Sequence, residues 1–112
     1  METKNALAAL AALSQETRLQ AFRLLVQAGP EGLSVGCIAA QLGTEANGRL
    51  SFHLKELVHA GLVRATQSGR FIFYSANYPV MNDLLAYLTE HCCAGESCGE
   101  AVHGCTNSEN PS

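Results

Sequence analysis

Apolar residues recur at helical spacing along most of this chain and switch to a strand-like run in one place. Residues 4–12 are rich in alanine, which favours helix and permits close helix–helix approach, and they predict a first helix. Leu19, Phe22, Leu25 and Val26 predict a second helix over 15–27, with those side chains facing the core and Ser14 as its N-cap. The run Gly29-Pro30-Glu31-Gly32 ends it in a loop. Ser34 is placed to cap a third helix over 35–42, with Ile38, Ala39 and Leu42 inward. A fourth helix is expected over 47–60, stopped by Gly61. Residues 62–67 and 70–76 read as two strands joined by a Ser68-Gly69 turn. Pro79 fits the first turn of a last helix over 80–91, with Val80, Leu84 and Leu88 along one face and Met81 and Leu85 beside them. From Cys92 onward no apolar period remains, and an irregular, mobile tail is expected.

The predicted order is therefore four helices, two strands and a helix: a mainly α chain with a small β-hairpin. A helix followed at once by a hairpin is the outline of a winged helix-turn-helix, a device for reading duplex DNA. On a wheel of residues 47–60, Leu50, Leu54, Leu57 and Val58 share the inner side. Arg49, Phe52, Lys55 and Glu56 project away, and Ser51 and His53 flank them. An outward Phe on a short helix calls for a reason, and contact with a thymine methyl or a sugar supplies one. Asn47, Arg49, Ser51, His53 and Lys55 are then candidates for bonds to bases or phosphates, and Gln67, Ser68 and Arg70 for contacts from the wing. An ordinary surface helix beside a solvated hairpin charge is the competing reading.

Composition adds boundaries to this picture. With 112 residues, 47% hydrophobic and 15% charged, the chain matches one globular unit rather than a disordered segment. We place the folded unit at residues 1–91 and the tail at 92–112. No apolar run approaches the roughly 18 residues of a membrane span, and no signal peptide is evident, so a cytoplasmic protein is expected. The net charge of −3 is unhelpful for DNA binding, but its distribution is not. Arg49, Lys55, Arg64 and Arg70 share one stretch, opposed there by Glu45 and Glu56, whereas the residues after Arg70 carry acids and no Lys or Arg. Non-specific phosphate affinity is then modest, and specific contacts carry more of the binding. No nucleotide-binding loop, Cys-x-x-Cys pair or nucleophile–base set points to an enzyme.

Four of the five cysteines crowd into residues 92–105: Cys92, Cys93, Cys98 and Cys105, with His91 and His103 nearby. In a reducing compartment these are thiols or thiolates rather than disulfides. Thiolate sulfur selects soft ions. Three thiolates without a fourth ligand suit arsenite, whose lone pair takes the remaining position. A Zn(II) or Cd(II) site using Cys98, Cys105 and a histidine, a thiol redox switch, and a thiol metal carrier stay open on the residues alone. No basic group flanks these cysteines to lower their pKa, which weighs against the redox switch. Cys37, alone on the third helix, reads as a small core residue.

The segments LSQETRL at 13–19, LSFHLKEL at 50–57, AGLV at 60–63 and GRFIFY at 69–74, in that order, resemble the arsenic-repressor (ArsR/SmtB) family of bacterial metal-sensing repressors. The resemblance spans about residues 5–92. It implies a homodimer joined through the first and last helices, whose reading helices enter successive major grooves of a near-palindromic operator. It also implies repression of a metal-resistance operon, relieved by the inducer. The chain departs from two of the family's inducer sites. Where many members carry Cys-Val-Cys-Asp on the third helix, this one has Ser34-Val35-Gly36-Cys37, and the Asp and His pairs of a zinc site on the last helix reduce to Asp83 and a terminal His91. The tail instead resembles a subgroup with a Cys-Cys pair and a third nearby cysteine just after the last helix. On that resemblance Cys92, Cys93 and Cys98 bind As(III), and Sb(III) as well, with Cys105 left open as a less favoured further ligand.

Overall fold

The computed structural model describes residues 1–95; the expectations placed on Cys98, His103 and Cys105 lie outside them. Two helices open the chain, α1 (Thr3–Leu13) and α2 (Glu16–Ala28). Alanine does in α1 what its size allows: Ala6, Ala9 and Ala12 are buried at a close helix contact. Ser14 does not cap α2. Its hydroxyl donates to the Ala11 carbonyl and finishes α1, while the Gln15 side chain accepts from the Arg18 amide and starts α2. Leu19 is exposed, contrary to the predicted inward position. Ala21, Phe22 and Leu25 define the buried arc, and at about 100° per residue Leu19 falls outside it.

After the loop comes an element that periodicity did not reveal. A two-residue strand, β1 (Leu33–Ser34), leads directly into α3 (Val35–Leu42), where the Ser34 hydroxyl accepts from the Cys37 amide as expected. Residues 43–47 turn the chain into α4 (Gly48–His59). Gly61 stops that helix with φ +84°, so that the Leu62 amide reaches the Leu57 carbonyl at 3.0 Å and the Gly61 amide reaches Val58 at 2.9 Å.

The hairpin strands are β2 (Val63–Ser68) and β3 (Phe71–Ala76). Ser68 pairs with Phe71, so the two turn residues are Gly69 and Arg70 rather than Ser68 and Gly69. This correction puts Arg70 at the tip of the wing. β1 pairs antiparallel with β3, giving a three-stranded sheet in the order β1-β3-β2. Gly32, at φ +76°, permits that pairing, because a Cβ there would collide with the Tyr74 carbonyl.

The last helix, α5 (Tyr78–Leu88), ends three residues short of the predicted His91. Its N-terminal end is firmly held. The Asn77 amide donates to the Leu62 carbonyl at 2.8 Å, its side chain donates to Gly61 at 2.9 Å, and the Tyr78 hydroxyl donates to the Val26 carbonyl at 2.9 Å. Leu25, Ile38, Leu54, Leu57 and Leu62 form the fully buried centre, each contributing about 1.5–3 kcal/mol by leaving water. Among the described residues no helix is long and apolar enough to cross a membrane.

Candidate nucleic-acid interface and effector site

The side chains that seat α4 also determine what it presents. Leu50, Leu54 and Leu57 are buried and Val58 half-buried, as the wheel predicted. The opposite arc is centred on Phe52, which is 55% exposed, with Arg49 and Lys55 exposed on either side of it. Ser51 and His53 are half-buried at the flanks. Asn47 is the N-cap: its side-chain oxygen accepts from the Arg49 amide at 3.1 Å and the Leu50 amide at 3.2 Å. That oxygen is committed to the helix, which leaves the side-chain amide nitrogen for an external partner. In the wing, Gln67, Ser68 and Arg70 are all exposed, and the Gln67 amide donates to the Gly69 carbonyl, bracing the tip.

His53 occupies a different setting from the rest. Its Nδ1 lies 3.3 Å from Arg18 Nη1 on α2, and its ring packs at 5.9 Å from Phe52. Arg18 in turn donates through Nε to the Ala12 carbonyl at 2.9 Å. One guanidinium thus joins the end of α1, the start of α2 and the reading helix. Because an arginine has only donors, His53 accepts at Nδ1 and carries its proton on Nε2. Sequence reasoning missed Arg18. The available signal was a cation lying within the buried arc of α2, between Ala21, Phe22 and Leu25 on the wheel.

Burial, followed by the charges of Arg18 and Arg49, lowers the His53 pKa below the ordinary histidine range, with Glu56 opposing. A depressed histidine favours the neutral form in the folded state. The unfolded chain therefore takes up the proton first, and stability present above about pH 6.5 is lost as pH falls. Thermal melts followed by circular dichroism are expected to show a decline from pH 7.5 to 5.5 that is smaller in a His53→Gln variant. An equal decline in both proteins would remove His53 from the explanation.

Beyond α5 the chain makes a short 3-10 turn, Cys92–Gly95, with left-handed backbone at His91, Cys93 and Ala94. The Cys92 amide donates to the Thr89 carbonyl at 3.0 Å, which fastens the turn to the helix end. Cys92 and Cys93 are adjacent and partly exposed there, a donor pair whose chemistry fits a thiophilic ion. Among the described residues no three His, Cys, Asp or Glu side chains gather into a metal-sized cluster. Cys37 is exposed on α3 rather than in the core, so the small-core-residue reading is corrected. It lies on the surface side of a helix whose buried residues are Ile38 and Ala39.

Two helices also carry uncovered apolar side chains. Leu7 on α1 is 61% exposed, and Leu85 and Leu88 on α5 are each 53% exposed.

A reading helix with a basic and aromatic outer face, preceded by a packed helix and followed by a braced hairpin, defines a winged helix-turn-helix DNA-binding protein. A helix-turn-helix domain family model matches residues 13–65, from the last residue of α1 into β2. Solved structures extend the likeness. An ArsR-like transcriptional regulator from Rhodococcus sp. RHA1 is 29% identical over 76% of this chain and 76% of its own, with a TM-score of 0.67. HlyU from Vibrio cholerae N16961 is 31% identical over 79% of this chain and 97% of its own, with a TM-score of 0.60. The homodimeric winged helix-turn-helix domain of Mb0332 from Mycobacterium bovis, a possible ArsR-family regulator, is 25% identical over 90% and 88%, with a TM-score of 0.63. A possible transcriptional regulator for arsenical resistance is 29% identical over 71% and 79%, with a TM-score of 0.61. No curated protein sequence matches the chain. The chain belongs to the ArsR family of winged helix-turn-helix transcriptional regulators.

Proposed function

We propose that this protein is an arsenite-responsive repressor. As a homodimer it binds operator DNA of an arsenic-resistance operon, and it lets go when Cys92, Cys93 and Cys98 bind As(III), or Sb(III) in the same manner. The observation that carries the effector assignment is the adjacent, partly exposed thiol pair on the turn that closes α5. Binding is a condensation: each of three thiols forms a bond to arsenic and gives its proton to a departing hydroxide, so that As(OH)3 leaves three waters behind. The arsenical-resistance regulator among the matched structures supports the same class of inducer.

For DNA, Arg49, Phe52 and Lys55 face the major groove, with Ser51, His53 and the Asn47 amide nitrogen at the edges. Gln67, Ser68 and Arg70 meet the phosphates or the minor groove. The exposed leucines of α1 and α5 form the dimer contact, in keeping with the homodimeric Mycobacterium bovis relative. Two copies related by a twofold axis then present their reading helices about one turn of B-DNA apart, roughly 34 Å. The protein is cytoplasmic on this reading, where its thiols stay reduced.

The test is a titration of the reduced full-length protein with arsenite, followed by the near-ultraviolet absorbance of As–S bonds. One arsenic per chain is expected, with operator release following the same stoichiometry. Release by Zn(II) with no As–S signal would replace the arsenite reading by a zinc-sensing one.

A further inference from the structure

We infer that α1 is the lever that joins the tail cysteines to the reading helix, gripped at one end by a Thr3–Tyr87 hydrogen bond and at the other by Arg18. The inference rests on the arsenite reading above and supplies its route. Thr3 is the first residue of α1 and Tyr87 lies in the last turn of α5; their hydroxyls are 2.6 Å apart. Cys92 follows five residues later and is fastened to that same turn through the Thr89 carbonyl. The Thr89 hydroxyl itself donates back to the Leu85 carbonyl at 2.8 Å, so the helix end and the cysteine turn move together.

At the far end of α1, the Ala12 carbonyl accepts from Arg18 Nε at 2.9 Å, and the same guanidinium lies 3.3 Å from His53 on α4. Between these two grips α1 is an unbroken helix of 11 residues. Its internal hydrogen bonds make it stiff, and its length is about 16 Å at 1.5 Å per residue. Its buried face is all alanine, Ala6, Ala9 and Ala12, which has no long side chains to absorb a shift by changing rotamer.

Apart from the Thr3–Tyr87 bond, the long-range hydrogen bonds that hold α5 within one protomer lie at its N-terminal end, so its Tyr87 end shifts together with the dimer contact at Leu85 and Leu88. Asn77 and Tyr78 pin its N-terminal end to the α4–β2 junction and to α2. Leu84 is its one buried residue. A change of shape at Cys92 and Cys93 therefore swings the C-terminal half of α5 about its pinned start. Thr3 follows, α1 shifts along its axis, and Arg18 carries the shift into α4. A lever of this kind is a two-state element biased from both sites, which is what coupling between an effector and DNA requires.

The experiment compares the full-length parent with Tyr87→Phe and Thr3→Val, which delete the same bond from opposite sides with little change of shape. Three quantities are measured: operator affinity without arsenite, arsenite affinity by As–S absorbance without DNA, and operator affinity at saturating arsenite. Both variants are expected to match the parent in the first two. In the third, arsenite's effect should shrink by about three- to tenfold, the range that one hydrogen bond spans. The double variant should lose no more than either single one, since all three lack the same bond. A full arsenite response in both single variants overturns the lever. A parent that binds no arsenite overturns the arsenite reading itself, and the lever with it.

Discussion

Gly32→Ala is expected to lower the stability of the fold by about 2–4 kcal/mol. Two costs add at this residue. Its φ of +76° is a conformation that an alanine adopts only with strain, on the order of 1 kcal/mol. The added methyl would also meet the Tyr74 carbonyl, a backbone atom that cannot rotate away. Relieving such an overlap by a backbone shift costs about 1–3 kcal/mol. Tyr74 is paired with Leu33, so the shift separates β1 from β3 and disturbs the start of α3. Urea unfolding should show the midpoint falling with little change in slope. Gly48→Ala is a suitable control, because a methyl there meets open space. Equal stability of the Gly32→Ala variant and the parent would mean that β1 does not pair as described.

Cys98→Ser is expected to leave operator affinity unchanged and to abolish the response to arsenite. A serine hydroxyl does not form the bond to arsenic that a thiol forms, so a three-sulfur site drops to two. The size of the lost effect follows from the coupling. A hundredfold release of DNA corresponds to an inducer preference of about 2.7 kcal/mol for the unbound conformation. The same variant at Cys37 should behave like the parent, since that thiol sits on α3 and not on the turn that closes α5. Loss of DNA binding in Cys98→Ser would instead give the cysteine a structural role.

Where a polar residue stands alone at the right place, the sequence was readable. Ser34 caps α3 and Gly61 ends α4 as expected, because each supplies a backbone contact that its neighbours do not, whereas Asn47, expected as the first residue of α4, is its cap. Where two polar residues are adjacent, it was not. Ser14 and Gln15 both suit a cap, and the choice follows from where α1 ends. β1 is two residues long and carries no period; it exists because Gly32 lets the Tyr74 backbone come close, a long-range condition. The same holds for Arg18. Its place in an apolar arc was visible, but the Ala12 carbonyl and His53 that it joins are brought together by the packing of three helices. The outward set of α4 followed from its period alone. Leu19 did not follow, because the α2 pattern admits two overlapping apolar arcs and burial selects the one containing Ala21.

Arsenite held by the tail thiols is expected to release DNA from the reading helices. Fluorescence anisotropy of an operator-length duplex reads this release, with parent and Cys98→Ser titrated side by side, each with and without arsenite. The two proteins should bind equally well without arsenite, and arsenite should weaken binding about a hundredfold in the parent alone. An unchanged parent affinity in arsenite, or an equal loss in both proteins, would contradict release through the tail thiols.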